Sequence, residues 1–228
     1  MKSKLPRHRV WLWAVLMVLS LGVQAQCQPS MGTALLERFV PADCEVCWSV
    51  ADLPAATSQG AVFVLDWIVP SALGEAAPLS AASVAEAAAR SGPLVPGRTL
   101  QRQQALPARE GWSLAVQDGP AWNGYVALQL RVEGRGKPTP AGAVGFLALV
   151  ELVPPGEDGT PVARRLVRSL AGPLPLNATQ TDIVHLRALR VPFGAKAERL
   201  SSVGWIESPS GKVLALAQAT DADCVKAK

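Results

Sequence analysis

The sequence predicts an α/β beginning followed by an all-β remainder, and three observations predict it. Ala61–Val69 is a nearly continuous apolar run, the pattern of a strand buried on both faces within a parallel sheet. Ser80–Arg90 is rich in alanine and helical in propensity, with Ser80 placed as an N-cap. From about Trp112 onward, short runs alternate in polarity and are separated by Gly/Pro turns. The expected division is an export signal over 1–25, an α/β region of βαβα order over 26–108, and an antiparallel β-sandwich-like region over 109–228.

The first segment is basic at Lys2, Lys4, Arg7 and Arg9, then apolar from Val10 to Val23, and closes on Val23-Gln24-Ala25. Such a pattern predicts a cleavable secretory signal cut after Ala25, and hence a periplasmic or secreted protein; an uncleaved anchor is the alternative. Gln26 stands where lipoprotein processing at Cys27 needs a small residue. The chain carries 22 Lys+Arg against 18 Asp+Glu, and four of those cations sit in the signal. The remainder is formally neutral, which removes any electrostatic case for nucleic-acid binding. No membrane association is expected beyond the signal itself.

In the α/β region, Leu35–Val40 is the expected first strand. The expected helix after Cys47 runs through Trp48-Ser49-Val50-Ala51-Asp52-Leu53 until Pro54 and Gly60 limit it. The second strand is Ala61–Val69, and Gly92–Gly97 and Pro107–Gly111 break regular structure. In the β-rich region, Tyr125–Val132 places Val126, Leu128, Leu130 and Val132 on one face. Further expected strands are Val144–Val153, Val162–Leu170, Ile183–Val191, Val203–Glu207 and Val213–Gln218, with turns at Pro155–Gly159 and Pro209–Gly211.

The candidate chemistry lies at Cys44-Glu45-Val46-Cys47. Two intervening residues hold the sulfurs close enough to bond, and a helix opening behind a strand favours the thiolate of the first cysteine. In the functional reading Cys44 is the nucleophile, Cys47 the resolving thiol and Asp66 a nearby proton acceptor. In the competing reading the pair is a static staple and Asp66 an ordinary polar strand terminus. Asp43 and Glu45 flank Cys44, and carboxylates close to the sulfur disfavour a second negative charge. Cys27 and Cys224 either clip the two ends of the exported chain together, a closure worth at most about 4–5 kcal/mol, or remain unpaired within the chain.

Other chemistry is weaker. One Cys-x-x-Cys supplies two ligands where zinc takes four, so neither a metal nor a cofactor is expected. His185 is expected as a half-exposed strand residue, and Trp48 stands where covalent haem attachment needs histidine. Gly134–Thr139 lacks the residues of a phosphate loop and is expected as a turn. Arg164, Arg165, Arg168, Arg187 and Arg190 are expected on solvated strand faces. Trp112 and Trp122 mark either core packing between layers or an apolar binding patch.

Leu36-Glu37-Arg38-Phe39-Val40, Cys44-Glu45-Val46-Cys47 and Val64-Leu65-Asp66-Trp67 together resemble an uncharacterised family of secreted bacterial thioredoxin-like proteins. That family opens with a Val-Glu-Leu-Phe-Thr strand, continues through a Cys-x-x-Cys, a helix and a strand ending near Asp-Tyr-Trp, and trails into a β-rich region similar to Trp112–Ala219 here. The resemblance implies a reduced thioredoxin-like α/β part and disulfide exchange with exported thiol or disulfide proteins. Two departures stand out. Pro41-Ala42-Asp43 replaces the family's Ser-Gln-Gly, and no Thr-Pro-Gln segment occurs between Gly92 and Pro107. That missing segment carries the family's substrate-contacting cis-proline, so a non-catalytic binding or assembly module is the alternative.

Overall fold

The computed structural model describes residues 32–56, 61–108, 111–134, 141–177 and 179–219. The expected signal over 1–25, both Cys27 and Cys224, and most of Gly134–Thr139 lie outside the described residues.

Among the described residues the chain is mostly β, with ten strands in two sheets. β1 (Ala34–Pro41) leads into the one-turn helix α1 (Glu45–Trp48), and β2 (Val62–Val69) pairs parallel to β1. Then α2 (Ala85–Ser91) precedes β3 (Leu100–Ala105), which pairs antiparallel to the other side of β1. β4 (Trp112–Asp118), β5 (Tyr125–Gly134), β6 (Val144–Val153), β7 (Arg164–Pro175), β8 (Asp182–Arg190), β9 (Leu200–Glu207) and β10 (Val213–Gln218) follow.

Period-two alternation decides where these strands go. On β5, Val126, Leu128, Leu130 and Val132 are all buried, as the sequence predicts. They face inward from a three-stranded antiparallel sheet, β4-β5-β8, onto Leu147, Leu149, Ile206 and Ala215 of the larger sheet. That larger sheet has seven strands in the order β10-β9-β6-β7-β2-β1-β3. It is mixed: β2 meets β7 in parallel at Asp66 and Leu166, and the pairs β6–β7, β6–β9 and β9–β10 are antiparallel. Strands from both sides of residue 108 therefore share one sheet.

The large sheet curls until its edge strands approach, and the backbone N–H of Val213 on β10 donates to Gln104 Oε1 on β3 at 3.1 Å. Its inner face carries Leu35, Phe39, Leu65, Trp67, Val150, Val203 and Trp205, with Val84 and Ala87 at the start of α2 closing over them. Phe39 stacks on Trp67 at 6.0 Å, and Trp205 meets Trp67 edge-on at 6.3 Å and stacks on Phe146 at 5.3 Å. Such offset and edge contacts suit the ring quadrupoles.

Three expectations need correction, and one strand is not anticipated by the sequence. The helix expected through Leu53 ends at Trp48, because Ser49 Oγ turns back onto the carbonyls of Glu45 and Val46. The following segment is then drawn across the sheet, where Ala56 N–H donates to the Ala163 carbonyl. Ser80–Arg90 is broken: a 3₁₀ turn at Ser80–Ala82 gives way to extended Ser83 and Val84, whose N–H bonds the Ile68 carbonyl. The helix restarts at Ala85 with Val84, not Ser80, at its N-cap. The stretch between the Gly/Pro breaks contains β3, whose inward positions include the long polar chains of Arg102 and Gln104 and so lack an apolar signature. Lastly, Arg164 and Arg165 are buried rather than solvated.

Candidate functional site

Cys44 and Cys47 form a disulfide at the crossover from β1 to β2. The chain turns tightly here: the Cys44 N–H donates to the Pro41 carbonyl, and the N–H groups of Cys47 and Trp48 both return to the Cys44 carbonyl at 3.0 and 3.3 Å. The two sulfurs differ in access. Cys47 is 7% exposed and packs with Val40, Ile68, Val153 and Leu166, whereas Cys44 is only partly buried at the edge of that cluster. Asp43 and Glu45 project into solvent, where water and salt weaken their fields. With one turn, α1 contributes a correspondingly small dipole.

Beneath the pair lies a buried ionic network. Arg38 on β1 and Asp66 on β2 are register partners on the parallel strands, and both are fully buried. Arg38 binds Asp66 with two hydrogen bonds, Nε to Oδ1 and Nη2 to Oδ2, each 2.7 Å. Asp66 also accepts from Arg164 Nη1 at 3.2 Å and from the Arg165 backbone N–H at 3.1 Å. The carboxylate thus sits mid-strand and receives donors on both oxygens, rather than ending a strand as a polar terminus.

Arg164 joins this network to the disulfide. Its Nη2 donates to the Trp48 carbonyl at 2.6 Å, its Nε to Thr160 Oγ1 at 2.9 Å, and its guanidinium covers the Trp48 ring at 4.6 Å. Trp48 in turn donates from Nε1 to the Asp158 carbonyl at 2.8 Å, so the β6–β7 connection is pinned over α1. Burial lowers the pKa of Arg164, Asp66 opposes that shift, and neighbouring Arg38 adds to it. Arg165 is pushed down to about 10 by burial, against the pull of Asp66, and its guanidinium covers the Phe63 ring at 3.9 Å. Arg165 therefore remains a cation at neutral pH.

Among the sequence-derived candidates, the structure brings Cys44 and Cys47 together and connects Asp66 to them through Arg164 and Trp48. Sequence reasoning missed Arg38, Arg164 and Trp48. A signal existed for the first: Arg38 and Asp66 are opposite charges, each interrupting an apolar strand. His185 is half-buried on β8, with Nε2 at 2.9 Å from the Pro175 carbonyl. Trp112 packs against the core between the sheets, and Trp122 is 76% exposed. Among the described residues there is no cluster of three or more His, Cys, Asp or Glu fit to hold a metal. Nor is any helix among them long and apolar enough to cross a membrane.

No family model matches the chain, and no curated protein does. In fold it is similar to HBP35 of Porphyromonas gingivalis, with a TM-score of 0.50 and 9% identity over 83% of this chain and 75% of that one. At that identity the likeness concerns the fold alone.

Proposed function

We propose that the chain is an exported thioredoxin-like protein that exchanges disulfides with exported thiol proteins through Cys44 and Cys47. The observation that carries this reading is the unequal exposure of the two sulfurs, with Cys44 reachable and Cys47 buried. The topology supports it: β1 lies between parallel β2 and antiparallel β3, with the Cys-x-x-Cys on the β1–β2 crossover. A thiolate of the partner attacks Cys44 Sγ, the Cys44–Cys47 bond breaks, and Cys47 leaves as a thiolate that takes a proton. The partner's second thiolate then attacks its own sulfur in the mixed disulfide and releases Cys44. The partner loses two electrons and two protons, and the cysteine pair gains them. In this reading Asp66 is a positioning residue, acting on α1 through Arg164.

A second reading has its own observation. Trp48, the residue after Cys47, is locked by Arg164 below and by the Asp158 carbonyl above, as a purely structural staple in a binding or assembly module requires.

The reduction potential separates the two. A Cys44–Cys47 couple between about −120 and −270 mV in graded glutathione buffers supports exchange, and Cys47→Ser then traps mixed disulfides at Cys44. A pair that stays oxidised below about −300 mV overturns the exchange reading and leaves the staple.

A further inference from the structure

On the inner side of the curled sheet, away from the disulfide, lies a cavity of ≈ 390 Å³, within the range of sites that take small organic ligands. It opens beside α2, between β3 on one side and β6, β7 and the β9–β10 turn on the other. Its wall is divided chemically. Phe146, Leu170 and Pro173 form an apolar side, while Arg102, Glu86 and Glu207 supply charge.

The charged groups differ in how far they are already engaged. Arg90 is committed: Glu37 and Glu207 pair with its guanidinium, which sits 5.0 Å from the Trp205 ring and 5.7 Å from that of Trp67. Burial opposes its charge, but the two carboxylates outweigh burial and hold its pKa above the ordinary value. Arg102 is less committed. It donates to the carbonyls of Arg90 and Ser91 at 3.1 and 3.4 Å and lies 5.6 Å over the Phe39 ring, but has no carboxylate partner among the described residues. Glu207 receives Arg90 at 2.6 Å and the Trp205 indole at 2.7 Å, both on Oε1, so its other oxygen is the available acceptor. Glu86 is exposed at the rim.

A purely anionic ligand meets two carboxylates here, and a purely cationic one meets Arg102. A ligand carrying both signs and an apolar body satisfies the wall. We infer that this cavity binds a free α-amino acid with an apolar side chain. Its carboxylate pairs with Arg102, its ammonium group lies toward Glu207 and Glu86, and its side chain rests on Phe146, Leu170 and Pro173. The site is independent of the cysteines.

Calorimetric titration of the whole protein with L-phenylalanine tests the inference, with N-acetyl-L-phenylalanine and 2-phenylethylamine as probes that each lack one charge. The expected result is saturable one-to-one binding of L-phenylalanine and affinity about tenfold weaker for each analogue, since each loses one charge-assisted contact. Arg102→Gln weakens L-phenylalanine but leaves 2-phenylethylamine unchanged. Ala89→Phe, at an exposed α2 position on the cavity wall, abolishes binding while leaving the melting temperature in place. Absence of saturable binding up to the solubility limit overturns the inference. So does equal affinity for all three probes, or undiminished binding by Ala89→Phe.

Discussion

Arg164 holds Trp48 twice, by a 2.6 Å hydrogen bond to its backbone carbonyl and by lying 4.6 Å over its ring. The same guanidinium pairs with Asp66, so the single turn that carries the disulfide is tied to the centre of β2. What happens at the cysteines is thereby coupled to a buried ion cluster, and the cluster is the place to perturb first.

Asp66→Ala leaves Arg38 and Arg164 buried without their anion. The expected loss is about 3–5 kcal/mol, the cost of stranding a buried charge. Denaturant unfolding measures it. The double variant Arg38→Met, Asp66→Leu strands Arg164 alone rather than two arginines, and is expected to lose less than Asp66→Ala.

Trp48 is 3% exposed and fills the space between α1 and the β6–β7 connection. Trp48→Phe retains most of the packing but not the hydrogen bond to Asp158, and should lose about 1 kcal/mol. Trp48→Ala should lose about 3–5 kcal/mol through the void it leaves. Equal losses for the two would remove the packing from the account and leave the hydrogen bond.

After reduction, Cys44 should react with iodoacetamide well before Cys47, because only Cys44 is reachable in the folded chain. Mass mapping of quenched samples reads the order. The double serine variant should lose roughly 2 kcal/mol, the loop-closure value for so short a ring.

Glu157 ties the β6–β7 connection to Lys196 and Arg199, and hydrogen bonds from these two cations hold its carboxyl below the ordinary value. Its folded pKa is therefore lower than its unfolded one. The stabilisation is complete above the ordinary value of 4.5 and fades as the pH falls below it through the folded value. The protection of Thr160 and its neighbours against hydrogen exchange, relative to the intrinsic rate at each pH, should fall in that window, and Glu157→Gln should remove the acid dependence.

Gly204, in the middle of β9, lets the small sheet approach. A Cβ there would lie 2.7 Å from Val116 Cγ2 and 3.2 Å from the Phe146 carbonyl. Gly204→Ala should therefore overpack the interface between the sheets and cost about 1–3 kcal/mol. A neutral effect on unfolding would mean that β4 can shift away.

Most of the strands and the place of the disulfide are legible in the sequence, since both follow from local pattern. Val144–Val153 and Val213–Gln218 declare themselves by their apolar runs, and Cys44 and Cys47 need only two intervening residues to meet. β3 is illegible because Arg102 and Gln104 occupy its inward positions, and the helix expected through Leu53 is cut short because Ser49 turns onto the preceding carbonyls. Tertiary structure alone decided the ion cluster, the joining of β2 to β7 and the cavity. Arg164 reaches Asp66 across 98 residues of chain, and Val213 reaches Gln104 across 109. No local periodicity records such partners: an arginine on a strand looks solvated until a buried carboxylate from a distant strand is brought beneath it.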